Sequence, residues 1–128
     1  FVDSRISDWQ INIFDTIADN ASSGGIVLGS QPRRIEDLDL RRMGCNLVIN
    51  GEVVATGAGA AVLGTPLNAL VWLANTLGRL GAPREPGHVL LPGSMTRAPP
   101  VGPGAWIVAH MAGLGSVTAV IDRAKGES

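Results

Sequence analysis

Two short loops in this 128-residue chain combine glycine with hydroxyl side chains, and each lies between apolar segments. The first covers residues 19–25 and contains Ser22, and the second covers residues 93–97 and contains Ser94 and Thr96. Glycine lets the backbone approach a ligand closely, and hydroxyl groups both donate and accept hydrogen bonds. Together the loops could bind a small carboxylate or keto acid. The plainer alternative is that each loop only turns the chain.

Charged and nucleophilic residues near these loops are few. Arg5 and Arg97 could pair with a carboxylate. A serine nucleophile is not supported, because the sequence contains no Gly-x-Ser-x-Gly motif and neither His88 nor His110 is an evident general base. Both histidines fall at or within predicted strands, where we interpret them as half-buried or edge residues. The residues therefore indicate ligand binding without a complete catalytic set.

A metal site or a catalytic thiol is equally unsupported by the pattern. The chain has no closely spaced His or Cys pair and no Glu-x-Glu. Its single cysteine, Cys45, adjoins the apolar residues 47–49, which is typical of a small buried hydrophobe. One cysteine excludes an internal disulfide and favours a reducing compartment, so we expect a cytoplasmic protein.

The composition restricts the class of protein further. Hydrophobic residues make up 45%, charged residues 16%, and the net charge is −1. A near-neutral chain gives no electrostatic reason to expect nucleic acid or an anionic membrane as a partner. The mean hydropathy of +0.24 is high for a short chain, so we expect part of the surface to be buried against a partner. No signal peptide or polar-free membrane-spanning run is visible.

Two helices are predicted. Apolar spacing of three and four indicates a helix within residues 7–20, with Ser7 or Asp8 as its N-cap. The helical pattern is clearer in residues 14–22 than in the residues before them. A second helix begins at Thr65-Pro66 and ends near Gly81 and Pro83. Its face over residues 67–80 is apolar around more than half its circumference, which predicts burial on two sides or against another subunit.

The remaining pattern favours strands. Residues 43–49 and 52–56 flank Asn50-Gly51, a strong signal for a type I′ hairpin. Residues 57–61 are rich in glycine and alanine, which predicts close backbone approach. Further strands are expected at 1–6, 25–28, 88–91, 106–110 and 116–121. Six or seven strands with two helices predict an α+β domain with a mixed or antiparallel sheet, shaped as a β-roll or barrel.

Several runs closely resemble the 2-hydroxypenta-2,4-dienoate (2-keto-4-pentenoate) hydratase family of the fumarylacetoacetate-hydrolase-like superfamily. The family also includes the 4-oxalocrotonate decarboxylases. The similar runs extend over most of the chain and keep the family's order and spacing; they are residues 2–6, 15–24, 27–29, 50–64, 66–75 and 113–117. The chain departs from the family in its proline-rich segment 99–103 and at Gly104-Ala105, where relatives often read Gly-Asp.

The resemblance implies a fold and an activity. Residues 1–128 would be the C-terminal part of a single hydratase-like catalytic domain whose N-terminal half is absent. The family uses Mg²⁺ or Mn²⁺, and the expected ligands all precede Phe1, so no metal ligand is assigned here. Ser22 matches the serine that contacts the substrate's carboxylate or keto end. Ser94 and Thr96 match a Gly-Ser-x-Thr loop near the substrate, and Arg5 is a further candidate for substrate binding.

Three functions remain open at this point. The first is a metal-dependent hydratase that adds water to a 2-hydroxy-2,4-dienoate in aromatic or sterol ring catabolism. The second is a 2-keto acid decarboxylase of the 4-oxalocrotonate type. The third is a fragment or structural partner that is inactive in isolation. The expected partners are the small 2-keto or 2-hydroxy dienoic acid, the missing N-terminal half and further copies of the protein, with no nucleic acid and no membrane.

Overall fold

The centre of the fold is a four-stranded antiparallel sheet, seen in a computed structural model that describes residues 1–82 and 85–122. The strands lie in the order β2-β1-β3-β4, so β2 and β4 are the edges. Two α-helices accompany the sheet. In chain order the elements are α1 (Ile13–Ala18), β1 (Gly44–Ile49), β2 (Glu52–Ala58), α2 (Pro66–Arg79), β3 (Trp106–Met111) and β4 (Gly115–Val120). The α+β class and the antiparallel arrangement are thereby confirmed, whereas the described strands form an open sheet and close no barrel.

The β1–β2 hairpin follows from its turn residues. Asn50 and Gly51 have φ values of 51° and 89°, the left-handed conformation that a type I′ turn requires. Asn50 also joins the two hairpins: its N–H donates to the Trp106 carbonyl at 2.8 Å, and its Oδ1 accepts from the Trp106 N–H at 2.9 Å. The predicted hairpin is confirmed, and its turn is held against the start of β3.

Three predicted strands are absent from the sheet. Segment 1–6 contributes one isolated bridge, from Val2 to Ser23, and segments 25–28 and 88–91 belong to no strand among the described residues. A β-prone segment forms a strand only when a neighbour completes its hydrogen-bond ladder. The predicted number of six or seven strands is therefore wrong for the described residues, which form four strands.

Helix α1 begins later than the pattern of apolar residues suggested. Asp8 and Trp9 have φ values of 57° and 54°, so no helix passes through them, and neither Ser7 nor Asp8 is the cap. Asn12 caps the helix instead, because its Oδ1 accepts from the Phe14 and Asp15 N–H groups at 2.8 and 3.2 Å. The Asp15 carboxylate completes a capping box by accepting from the Asn12 N–H.

Helix α2 has the predicted bounds but not the predicted burial. Pro66 occupies its first turn, and Thr65 holds the N-cap position without a side-chain capping bond. Pro83, expected just beyond the helix, lies outside the described residues, as does the polar tail after Asp122. No α2 residue is buried, and Trp72 is 63% exposed. Segment Gly59–Arg79 is long and apolar enough to cross a membrane by length and composition alone. This is weak evidence, because core helices of soluble proteins meet the same criteria.

Close backbone approach at the Gly-Ala segment is confirmed. A Cβ on Gly57 would collide with the backbone carbonyl of Met95, and one on Gly59 with that of Leu40. These contacts hold residues 93–97 against β2 and residues 40–41 against the end of that strand. Glycine is needed at both positions because only a hydrogen fits between the two backbones.

The hydrophobic core is small for a chain of this length. Among the described residues, five apolar side chains are buried, and they are Met43, Cys45, Val62, Ala105 and Val108. The prediction that Cys45 behaves as a buried hydrophobe is confirmed. Many large apolar side chains remain exposed, including Phe14 at 77% and Leu80 at 74%. Much of the apolar surface is thus left without a partner.

Candidate functional site

The first hydroxyl-glycine loop is organised around the carboxylate of Asp19. Helix α1 ends at Ala18, and left-handed residues at 20–22 fold the chain back so that it lies beside Ser4 and Arg5. Asp19 Oδ2 then accepts hydrogen bonds from the hydroxyls of Ser4 and Ser22, at 3.3 and 3.0 Å, and from the Arg5 N–H at 3.2 Å. A single carboxylate therefore fixes both ends of segment 4–22.

Arg5 adds a second connection between the same segments. Its Nη1 lies 3.1 Å from Asp19 Oδ1, and its Nη2 donates to the Ser23 carbonyl at 2.8 Å. The Asp19 side chain is only 7% exposed, whereas the Arg5 side chain is 61% exposed. The guanidinium thus locks the loop on one side and faces solvent on the other, where an anion could approach.

The electrostatics of Asp19 follow from these contacts. Desolvation of the carboxyl raises its pKa, but hydrogen bonds from the Arg5 N–H, the Ser22 hydroxyl and the Arg5 guanidinium, with its charge, outweigh it. The pKa of Asp19 is therefore lowered from its usual value. The carboxylate stays ionised at neutral pH, so it can neither donate a proton nor serve as a general acid there.

Ser22 is the most deeply buried polar side chain of the described residues, at 2% exposed. Its hydroxyl donates to Asp19, its N–H donates to the Asp19 carbonyl at 2.9 Å, and its carbonyl accepts from the Asp3 N–H at 2.7 Å. Every polar group of Ser22 is thus used within the loop. To contact a ligand as a donor, its hydroxyl proton would have to leave Asp19.

The second loop lies along edge strand β2. The Ser94 hydroxyl donates to the Thr96 carbonyl at 2.5 Å, and the Thr96 hydroxyl donates to the Arg97 carbonyl at 2.9 Å. Arg97 Nη2 reaches the Val54 carbonyl of β2 at 3.5 Å. Ser94 is exposed and Thr96 is partly exposed, so this loop presents its hydroxyls to solvent more openly than Ser22 does.

The structure joins some of the sequence-predicted residues and leaves others separate. Arg5 and Ser22 share Asp19, while Ser94 and Thr96 lie along β2, where their hydroxyls bond within their own loop. Sequence reasoning missed Ser4, whose hydroxyl contacts Asp19 and also accepts from the Ile6 N–H at 3.1 Å. A serine beside an arginine carries no distinctive signal, so only the folded loop exposes its role.

Neither histidine completes a catalytic pair with these loops. His110 lies on inner strand β3 and is exposed, which corrects the expectation of a half-buried or edge residue. Its Nδ1 is 2.6 Å from the Ser116 hydroxyl on β4, a cross-strand pair at the sheet surface. His88 Nδ1 accepts from the Glu85 N–H at 3.3 Å. Both contacts are local, and neither partner belongs to one of the two loops.

The described residues do not by themselves fit a metal ion. Across residues 1–82 and 85–122, no group of three or more His, Cys, Asp or Glu side chains is placed to hold one. Asp19, the carboxylate closest to the candidate residues, already accepts hydrogen bonds from three other residues. A metal at this site would need ligands from elsewhere.

The fold of this chain is similar to that of solved proteins. The chain matches 4-oxalocrotonate decarboxylase from Pseudomonas putida G7, solved with magnesium and adipate, with a TM-score of 0.86 and 42% sequence identity. The match covers 94% of this chain and 46% of that protein. The architecture is therefore that of a segment of these decarboxylases.

Curated sequences identify the relatives more narrowly. The chain is 53% identical over 116 residues to 2-keto-4-pentenoate hydratase from Paraburkholderia xenovorans (strain LB400), covering 91% of this chain and 43% of that protein. It is 47% identical over 103 residues to 2-hydroxyhexa-2,4-dienoate hydratase from Comamonas testosteroni, covering 80% and 39%. No protein-family model matches the chain. The resemblance to these hydratases is confirmed, and the chain spans less than half the length of the curated relatives it matches.

Proposed function

We propose that the polypeptide carrying this chain is a metal-dependent hydratase, adding water to a 2-hydroxy-2,4-dienoate to give a 4-hydroxy-2-keto acid. The observation that carries the proposal is 53% identity to a 2-keto-4-pentenoate hydratase over 91% of this chain. Aromatic or sterol ring catabolism, in the cytoplasm, is the context that the resemblance implies. The reaction makes the protein a hydro-lyase.

Within this proposal the chain's own residues bind the acidic end of the substrate. The exposed side of the Arg5 guanidinium attracts the carboxylate, while Asp19 fixes its position. Ser22 meets the carboxylate or keto end if its hydroxyl rotates away from Asp19. Ser94, which is exposed, and Thr96, which is partly exposed, form a second wall of the site.

A divalent metal belongs to the proposal as a cofactor, Mg²⁺ or Mn²⁺. A neighbour of 42% identity was solved with magnesium and another of 44% identity with calcium. Because the described residues lack a ligand cluster, we propose that the ligands lie in sequence preceding Phe1, in an N-terminal half of the same domain. That half would also supply the strands needed to close the open sheet into a roll.

The proposal predicts two separable outcomes for Ser22→Ala in the intact polypeptide. If Ser22 contacts the substrate, KM for 2-hydroxypenta-2,4-dienoate rises several-fold while the thermal midpoint changes little. If Ser22 only holds Asp19 in place, the thermal midpoint falls, and KM changes only as far as Arg5 is displaced. Steady-state kinetics with Mg²⁺ and thermal unfolding distinguish the two, with Ser116→Ala, at a cross-strand pair far along the chain, as the control.

A decarboxylase is the second candidate, favoured by the TM-score of 0.86 to 4-oxalocrotonate decarboxylase. Assaying the intact polypeptide with both a dienoate and an oxalocrotonate in the presence of Mg²⁺ separates the two activities. We expect water addition; release of carbon dioxide without hydration contradicts the first choice. The 128 residues alone are expected to show neither activity, and robust turnover by them would contradict the placement of the metal ligands.

A further inference from the structure

A row of polar side chains crosses one face of the sheet, outside the two hydroxyl-glycine loops. The strand register places Thr56, Asn46, His110 and Ser116 side by side on β2, β1, β3 and β4, and all four residues are exposed. Side chains directly opposite on neighbouring strands point to the same face of the sheet. The row therefore brings an imidazole beside a hydroxyl, a pair of groups that can carry nucleophilic chemistry.

His110 and Ser116 form a short contact within this row. His110 Nδ1 lies 2.6 Å from the Ser116 hydroxyl oxygen, within the reach that a general base needs. The contact follows from strand register, because Ser116 lies directly opposite His110 in the β3–β4 pair. Paired strands hold a side chain more precisely than a loop does, so the imidazole and the hydroxyl are positioned before any ligand arrives.

The backbone hydrogen bonds explain why these two side chains approach so closely. The Ala112 N–H donates to the Gly44 carbonyl of β1 at 3.0 Å. Because the direction of backbone groups alternates along a strand, His110, two residues earlier, also points its N–H and carbonyl toward β1. His110 and Ser116 are therefore a non-hydrogen-bonded pair, the kind in which opposite side chains lie closer. By the same alternation, the Ser116 N–H points to the open edge of β4.

An open cleft of about 480 Å³ lies over the pair. Its volume is within the range of roughly 300–1,000 Å³ usual for small-molecule sites. The described residues that line it include Asn46 and three glycines, and none of them is acidic, a lysine or an arginine. A Cβ added to Gly44 or Gly115 meets nothing within 4 Å, so there is room beside the pair. The cleft therefore admits a small, uncharged molecule to the Ser116 hydroxyl.

The geometry suits attack by the Ser116 oxygen. A serine hydroxyl is a weak nucleophile until a neighbouring base takes its proton. When the Ser116 hydroxyl donates to His110 Nδ1, the neutral imidazole carries its own proton on Nε2, and Nδ1 is the base. The Ser116 N–H takes no part in the β3–β4 ladder, so it is available to donate to an oxyanion formed during the attack.

We propose that Ser116 and His110 form a second nucleophilic site, which takes an acyl group from a small, uncharged, activated ester. The Ser116 oxygen bonds to the acyl carbon while its proton passes to His110 Nδ1. The bond from that carbon to the leaving oxygen then breaks, and the leaving group departs with the proton from His110 as an alcohol or phenol. Water attacks the resulting serine ester in the same way, which releases the acid and restores the hydroxyl.

The test uses the intact polypeptide with p-nitrophenyl acetate as the probe. We expect a burst of about one p-nitrophenolate per polypeptide before slower turnover, since the acyl serine accumulates. Peptide mass analysis should locate one acetyl group on Ser116. An excess of metal chelator should change neither result, because the proposed steps use no metal. Absence of acetylated Ser116 overturns the proposal, whatever the rate at which the ester is hydrolysed.

Two variants separate the nucleophile from the base. Ser116→Ala should abolish the burst, and His110→Gln should slow acetylation of Ser116 about a hundredfold. Both side chains are exposed, so the thermal midpoint should change little in either variant. Equal rates of Ser116 acetylation in the wild type and in His110→Gln would identify an ordinary surface hydroxyl and would overturn the proposal.

Two matched controls address other reactive groups. Thr118→Ala removes an exposed hydroxyl from the same face of β4, where the residue opposite is Val108 instead of a histidine. His88→Gln removes the other imidazole. The burst should persist in both variants, and its loss in either one contradicts the assignment.

The proposed hydratase reaction is assayed separately, with the dienoate and Mg²⁺. Ser116→Ala should retain that activity, since none of the residues proposed to bind the dienoate belongs to the His110–Ser116 pair. A failed hydratase assay leaves the acetylation result to be judged by itself. The two proposals can therefore fail independently.

Discussion

At the scale of single residues, Asp19 has more hydrogen-bond partners than any other side chain near the candidate site. It joins Ser4, Arg5 and Ser22, residues that are up to 18 positions apart, through one nearly buried carboxylate. A charged acceptor strengthens each of these bonds relative to a neutral one. The geometry of the loop, and with it the direction of the Arg5 guanidinium, therefore depends on this one ionised group.

Replacing Asp19 tests that dependence. Asp19→Asn keeps the size of the side chain but removes its charge and turns one acceptor into a donor, so we expect a lower thermal midpoint and weaker carboxylate binding. Asp39→Asn is the matched control, because Asp39 is 58% exposed and lies 3.7 Å from Arg42. Loss of an exposed pair costs about 0–1 kcal/mol. Equal effects in the two variants would contradict the role given to Asp19.

The lowered pKa of Asp19 predicts a pH dependence with a definite sign. The pKa of an Asp in the unfolded chain is about 3.9, and the pKa of Asp19 in the folded protein lies below its usual value. Between these two pKa values the unfolded state binds more protons than the folded state. The contribution of Asp19 to stability is therefore fully present above the unfolded pKa and is lost as the pH falls through the folded pKa. Urea unfolding between neutral pH and pH 3 should show this decline in the wild type and a smaller one in Asp19→Asn.

At the scale of elements, the glycines of β2 decide how the second loop is placed. Gly57 faces the Met95 backbone so closely that no Cβ fits, and this contact holds Ser94 and Thr96 along the sheet edge. Side-chain bonds within the loop fix its shape, but only the contact with β2 fixes its position. The local turn and its location thus have different causes.

Gly57→Ala is expected to displace that loop. Forcing a methyl group against backbone costs typically about 1–3 kcal/mol, measurable by chemical denaturation. Gly44→Ala is the control, since Gly44 lies in β1 and a Cβ there meets nothing within 4 Å. The amide resonances of Ser94 and Thr96 should move in the first variant only. If both variants unfold alike, the close approach has no special energetic weight.

At the scale of the whole molecule, the exposed apolar surface is the dominant feature. Among the described residues no large side chain is fully buried, while Val71, Trp72 and Leu80 of the α2 region are 58%, 63% and 74% exposed. Apolar patches of this kind are typical of surfaces that are covered by another segment or subunit. A further half of the domain and further copies of the protein are the partners we propose.

The isolated 128 residues should therefore associate. We expect light scattering to report species larger than a monomer, and the emission of the half-exposed Trp9, Trp72 and Trp106 to shift to shorter wavelength on association. Val71→Lys combined with Trp72→Gln should reduce association without changing the sheet, while Arg79→Gln serves as a polar control. A soluble monomer that binds no hydrophobic dye would contradict the proposed partners.

The sequence by itself determined the features that short-range chemistry encodes. The Asn50-Gly51 turn and the bounds of α2 each follow from neighbours in the chain. The resemblance to the hydratases was likewise readable from residue order. None of these depends on what lies across the fold.

Only the tertiary structure decided which extended segments became strands and which polar residues met. Segments 1–6, 25–28 and 88–91 have strand composition, but a ladder needs a partner supplied from elsewhere in the fold. The convergence of Ser4, Arg5 and Ser22 on Asp19 arises from contact between segments that are distant along the chain. Such contacts leave no local signal, because each residue is ordinary until its neighbour in space is known.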